Sequence, residues 1–372
     1  MKTNRTQTAV ALLGVLACLS LGAPAALRAA PPPSWQVKAV LVGFTHNTVL
    51  PTYKDMADNS VKLAAATAAL REGVTDEKIA AAAALWKSTR AAWEQGECFL
   101  FGPAAFNNLD PLLDSWPLDQ GRIDRMIKIA DDDIDAGFVR ENLGSGVRGF
   151  HAVEYLLFKD GRARRASELS KSEAACLAAI TDALRDDCIA LEAWWAGTDK
   201  IGEAKAKILE DAEIEPGTVY ASEFVNAGRP GSRYATQNDA LVELVQGCVD
   251  IVTEAGSVKI GDPVASGDPL QVESWFSWDS LADIVNNLKG VENAWLGGVE
   301  GKRGKGGLTL IVSALDKNLD RKIREQLKTA IEKVNAIPAP LRNNLKDPAT
   351  RPAIDACNEL ARSLEAVLEK IG

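Results

Sequence analysis

The chain has 372 residues, 47% of them hydrophobic, enough for one large domain or two and for an ample core. Its formal net charge is −9, and loss of residues 1–30 would remove Lys2, Arg5 and Arg28 but no acid, leaving a mature chain near −12. Such an acidic surface argues against nucleic acid and anionic lipid as partners.

The first thirty residues read as a secretory signal peptide. Lys2 and Arg5 make a positive start, Ala9 to Gly22 are apolar or small, and Ala23-Pro24-Ala25 offers a small-x-small cleavage pattern. Cleavage after Ala29 or Ala30 is the alternative, with Pro31 a poor residue to follow the cut. The apolar run is short of the roughly 20 residues a membrane helix needs. Val15-Leu16-Ala17-Cys18 raises lipidation of Cys18 as a second route, disfavoured by the bulk of Leu16. The expected location is the periplasm or cell envelope, with no transmembrane span in the mature protein.

The rest of the chain carries helical spacing. Thr75 is placed to cap a helix with Asp76 and Glu77 in its first turn, followed by the stripe Ile79, Ala82, Trp86, Trp93 and Leu100. Leu177, Ile180, Leu184, Leu191 and Trp195 mark a second, stopped by Gly197. Ser277 is read as opening a third through Leu281, Ile284, Leu288, Val291 and Trp295, ended by Gly297-Gly298. Leu319, Ile323, Ala330, Val334 and Ile337 make a fourth, halted by Pro338. Pro352 begins the last, through Ile354, Cys357, Ala361, Leu364, Leu368 and Ile371. Spacings of three and four bury one face of each helix. Thr309 to Val312 is a candidate extended piece, and the fold class expected is all-α.

Between the stripes, 101–121, 213–233, 256–269 and 297–307 read as long loops rich in Gly, Pro, Asn and Asp. Pro216, Gly217, Gly228, Pro230 and Gly231 suggest a junction. The expected organisation is therefore a helical bundle over 34–212 and a second over 213–372. The cysteines after Cys18 are Cys98, Cys176, Cys188, Cys248 and Cys357, an odd number. Cys176 and Cys188 on one helix stand about 18 Å apart and cannot bridge each other.

Gly149-Phe150-His151-Ala152-Val153-Glu154-Tyr155-Leu156-Leu157-Phe158 carries the most chemistry. The segment is apolar on every side except for His151, Glu154 and the Tyr155 hydroxyl, as a buried helix would be. Residues three apart share a face, so an imidazole and a carboxylate lie side by side in low dielectric, where each needs a partner. The pair can bind a metal, act as an acid–base couple or form a structural hydrogen bond. Glu97 lies on the stripe of Trp86 and Trp93, where its carboxylate either faces the core within reach of the His151 helix or sits at the helix end and meets solvent or an Arg. Known metallopeptidase patterns are missing: there is no His-Glu-x-x-His, and Tyr155 stands where the inverted motif needs a second histidine. With only His46 besides His151, a paired Glu-x-x-His di-iron site is also excluded. A metal here would be held mostly by carboxylates, which suits harder ions and iron better than zinc. Asp131, Asp132, Asp133 and Asp135 read as a solvated acidic face or a weak cation site.

At these residues the chain resembles the imelysin family, whose Gly-x-His-x-x-Glu signature is matched by Gly149, His151 and Glu154. Leu50-Pro51-Thr52-Tyr53, Phe101-Gly102-Pro103 and Trp116-Pro117 precede it in the expected order. Val272-Glu273-Ser274-Trp275-Phe276-Ser277 and Ala336-Ile337-Pro338-Ala339-Pro340 follow it. The resemblance implies two helical domains with a site between them, an envelope location, a link to iron uptake and a doubtful metallopeptidase label. The expected site residues are Gly149, His151 and Glu154 as the motif; His151, Glu154 and Glu97 as ligands of iron, with zinc as the alternative; and Glu273 and Ser274 behind them. The expected function is metal or iron-ligand binding with an envelope transport partner; the alternatives are an imelysin-type metallopeptidase and a scaffold whose His–Glu pair is structural.

Overall fold

In the computed structural model, which describes residues 32–129 and 134–372, the three- and four-residue spacings become long packed helices. The leader, Cys18 and Asp131, Asp132 and Asp133 lie outside the described residues. The hydroxyl of Thr75 accepts from Lys78 N and starts the helix Asp76–Gly96, whose Ile79, Ala82, Trp86 and Trp93 are buried. Asp135 caps the short helix Ala136–Asn142 by accepting from Phe138 N.

Asp76–Gly96 and Lys171–Ala196 both pack along Leu50–Arg71. A second group joins Gln237–Glu254, Lys317–Asn335 and Thr350–Ile371. Ser280–Leu296 ties the groups together by packing on Asp76–Gly96 on one side and Lys317–Asn335 on the other. The first helix, Ser34–Phe44, packs against Gln237–Glu254 and Thr309–Leu315, so chain order and spatial grouping differ. Gly290 permits the central crossing: a Cβ there would overlap the Gln95 carbonyl. One apolar core runs through both groups, anchored by Trp86, Trp93, Trp195 and Trp295. Each such buried large side chain contributes about 1.5–3 kcal/mol relative to exposure.

The fold is all-α, as expected. Among the described residues the β-structure is a small hairpin, Phe158–Lys159 with Arg162–Ala163. Three local expectations are corrected. Thr309–Leu315 is a helix, because its run of apolar residues packs on neighbouring helices instead of a sheet. Ser277 lies in a turn, and the helix begins at Ser280. The stretch 256–269 continues the Gln237 helix as a π-helical turn, Ala255–Gly261, followed by Asp262–Ser266. Glycines that suggested a loop there are absorbed into the wider turn: a Cβ on Gly256 would crowd Cys357. Cys98, Cys176, Cys188, Cys248 and Cys357 are buried free thiols. No described helix is long and apolar enough to cross a membrane.

Candidate functional site

The signature helix Gly149–Leu157 is buried at every residue but Tyr155. Gly149 opens it with φ +77°, where a side chain is strained. A Cβ would stand 2.6 Å from the Leu112 carbonyl oxygen and closer still to that of Leu113. The glycine thus lets the helix start nest on Leu109–Leu113, and the next residue along, Asp114, arrives over His151.

His151 is fully buried, its ring 4.8 Å from that of Trp116. Its Nδ1–H donates to Glu154 Oε2 at 2.9 Å. That bond turns Nε2 toward Asp114 Oδ1 at 3.1 Å and Glu273 Oε1 at 3.4 Å. The other oxygen of Glu154 accepts from Phe276 N (3.1 Å), Ser277 N (2.8 Å) and Ser277 Oγ (2.7 Å). Glu154 therefore does two jobs: it fixes the imidazole and folds the 273–278 turn that carries Glu273 onto it.

Two buried cations complete the cluster. Arg90 is paired with Asp114, with Glu94 at 2.6 Å and with Glu273 at 2.8 Å. Lys259, on the π-helical turn, sits 2.9 Å from Glu97, 3.1 Å from Glu273 and 3.4 Å from Glu94. Asn287 Nδ2 donates to Glu94 Oε2 at 2.6 Å and Glu97 Oε2 at 2.9 Å. Ser274 donates to Asp283, which lies 3.7 Å from Arg90. Carboxylates outnumber cations in this cluster, and burial makes every unmatched charge costly.

The ionisation of the group follows from that imbalance. Burial raises Glu97, and its neighbour Glu94 raises it further. Burial likewise lifts Asp283 well above the carboxylate range. Asp114 goes the other way: burial opposes its charge, but Arg90 and His151 hold it far down. Glu273 is also depressed against its burial, by Lys259, His151 and Arg90. For His151, burial and Arg90 press downward, yet the hydrogen bonds to Asp114, Glu154 and Glu273 outweigh them and favour the imidazolium.

A cleft of about 610 Å³ opens onto this cluster. Glu97, Asp110, Asp114, Glu254, Lys259 and Glu273 line it, with Trp116 and Phe101 as aromatic walls. Burial, then the charge of Asp114, lifts Asp110 to about 6. Two sets of donor atoms lie within 4.8 Å of one another: Asp114, His151 and Glu273, and Glu94, Glu97 and Asp114.

The expected site residues thus gather around one cluster, in altered roles. His151 presents Nε2 to the cluster. Both oxygens of Glu154 are already engaged. Glu97 faces Lys259 and Asn287, one carboxylate away from the imidazole. Glu273 touches the imidazole directly, and Ser274 supports Asp283. Arg90, Glu94, Asp114, Lys259 and Asn287 escaped sequence reading. Arg90 and Glu94 had a signal, since they fall on the same stripe as Trp86, Trp93 and Glu97. Asp114 and Lys259 sat in segments that read as solvated loops. His46 lies in the π-helical turn Thr45–Val49, away from this group.

The imelysin family model matches residues 49–367, nearly the whole described chain. The chain belongs to the imelysin family. It is 29% identical over 328 residues to iron-regulated protein A of Synechococcus elongatus, covering 88% of this chain and 83% of that one. A solved structure described as an iron-regulated protein A precursor, from Parabacteroides distasonis, superposes with a TM-score of 0.81 at 30% identity, over 92% of this chain and 97% of that one. An imelysin-like protein from Psychrobacter arcticum shares the fold, with a TM-score of 0.68 at 16% identity, over 91% and 96% of the two chains. The matched span holds Gly149, His151, Glu154 and Glu273 of this imelysin.

Proposed function

We propose that this imelysin is a non-enzymatic binding component of iron acquisition in the cell envelope, with iron as its cargo. The cation position is bounded by Asp114, His151 Nε2 and Glu273. The observation that carries this reading is the Nδ1–H bond to Glu154, which leaves Nε2 as the metal-facing nitrogen. A metal-ligating histidine commonly has its other N–H held by a carboxylate in this way. Two carboxylates and one imidazole suit iron, with zinc the alternative, and the relatives called iron-regulated support iron. Arg90 now contacts both carboxylates, so cargo binding exchanges part of that ion pairing, and the imidazolium proton, for the metal charge.

A peptidase reading asks Glu154 or Glu97 to activate water. Glu154 has both oxygens committed, and Glu97 is clasped by Lys259 and Asn287. The relation to an envelope transport partner rests on the expected signal peptide. Elemental analysis of chelator-free, tag-free protein followed by anaerobic Fe²⁺ titration tests the proposal. About one ion per chain, lost in His151→Ala with helicity retained, is expected. No ion in the wild type would move the weight to a scaffold role with a structural His–Glu pair.

A further inference from the structure

The turn 273–278 that brings Glu273 to His151 is strained near both ends. Ser274 has φ +48° and Trp278 has φ +62°, and a bulky aromatic residue seldom adopts that left-handed region. Such a conformation persists only where its surroundings over-determine it. Here the surroundings come from three distant parts of the chain. Glu154 accepts from the amides of Phe276 and Ser277. Gly161, at the tip of the small hairpin, donates its amide to Phe276 O at 3.0 Å, and a Cβ on it would overlap the Trp278 ring. The third is Arg342, whose Nη1 donates to Trp275 O at 2.9 Å.

Trp275 O and Phe276 N belong to one peptide group. Its N–H is bonded to the Glu154 carboxylate and its C=O to the Arg342 guanidinium, so an anion and a cation grip the two ends of one dipole. Bonds with an ionised partner are roughly twice as strong as neutral ones. Arg342 Cζ also stands 3.6 Å from the centroid of the Trp275 ring and 5.7 Å from that of Trp278, a cation–π contact with both indoles. The arginine is itself seated firmly. It lies in the turn Leu341–Asn343, anchored by buried Leu341, and Asn344 Nδ2 donates to Pro338 O and Pro340 O at 2.9 Å each. Glu273 lines the cleft and Arg342 does not.

We infer that Arg342 is a positioning residue of the cation site. It holds the 275–276 peptide from the side opposite Glu154 and so keeps Glu273 against His151 Nε2, without touching the cation. Once the guanidinium is lost, that peptide can rotate away from Glu154, which relaxes the strained turn and withdraws the Glu273 carboxylate. This inference rests on the reading of Asp114, His151 and Glu273 as the cation position. Lysine replaces the arginine only in part, since its ammonium can donate to the carbonyl but does not stack on the indoles as a guanidinium does.

The test pairs two readouts on the full mature chain. One is Mn²⁺ affinity by calorimetry. The other is the ring ¹⁵N resonances of His151 in metal-free protein at fixed pH, which are readily assigned because the chain has only two histidines. In Arg342→Met the affinity should fall about 10-fold, the lower end of the effect of removing an outer partner of a metal ligand. The His151 resonances should move while those of His46 stay, and Arg342→Lys should recover part of both changes. Where Arg342→Met does not fold, Trp275→Leu, which removes the ring beside the guanidinium, decides by the same two readouts. Wild-type affinity, or a fall in affinity with the His151 resonances unmoved, overturns the positioning role and leaves the iron-binding reading standing. No ion in wild type overturns that reading itself, and with it the role of Arg342 at a cation site.

Discussion

Asp114 Oδ1 stands 3.1 Å from His151 Nε2, although the two residues come from a short-helix loop and a buried helix 37 positions apart in sequence. Arg90 is paired with the same Asp114. The candidate site is thus a point where a carboxylate is shared between a fixed cation and an imidazole oriented by Glu154.

Replacing Glu154 by Gln should invert the imidazole. An amide NH₂ facing Nδ1 makes that nitrogen an acceptor, which moves the ring proton to Nε2 and removes the lone pair aimed at the cargo. Cation affinity is expected to fall about 10–100-fold, the usual effect of losing such a partner. Calorimetry checks it, with an unchanged far-UV circular dichroism spectrum as the control. Undiminished affinity would sink the orienting role of Glu154.

Arg90→Met leaves Asp114, Glu94 and Glu273 facing one another without their guanidinium. Breaking a buried ion pair by deleting one partner costs about 3–5 kcal/mol. Urea unfolding should show a loss of that order at neutral pH. Added Mn²⁺ should restore part of it, because the ion supplies the missing positive charge and binds only the folded chain.

Gly149→Ala is predicted to be destabilising out of proportion to one methyl group. The φ of +77° strains any side chain, and the Cβ meets the Leu112 and Leu113 carbonyls. A loss of about 1–3 kcal/mol is expected from the strained backbone alone. Because Asp114 follows Leu113, cation affinity should drop as well. A variant of wild-type stability would show that the nesting of these two helices is not required.

Asp187, buried beside Arg148, gives a pH test away from the cation site. Burial lifts its carboxyl to about 6, against the opposing charge of Arg148. The folded chain then holds a proton that the unfolded chain releases near pH 4. That stabilisation is complete below about pH 4 and is lost as pH rises through about 6. A shift of this size corresponds to on the order of 3 kcal/mol. The fall in urea-unfolding free energy from pH 4 to pH 7 should therefore be smaller by that order in Asp187→Asn than in wild type. Parallel pH profiles would count against a raised carboxyl.

Periodicity and punctuation were enough for the all-α class, because helix faces and their stops are local properties. Thr75 as a cap, Gly197 and Gly297 as terminators and the buried stripe of Trp86 and Trp93 all follow from neighbours within four residues. The pairing of His151 with Glu154 was legible for the same reason, since i and i+3 share a helix face. Of the partners on the far side of the imidazole, Glu273 was named only through the family resemblance, Arg90 left only its place on the Trp86–Trp93 stripe, and Asp114 left no signal. Asp114, Glu273 and Arg90 converge through a positive-φ glycine nest, a turn folded around Glu154 and a helix crossing, and none of these leaves a periodic trace. Lys259 looked like a loop residue because a π-turn breaks the 3.6-residue rhythm. Which buried charges meet is decided by long-range packing, since the low dielectric makes each of them seek a counter-charge wherever the fold brings one.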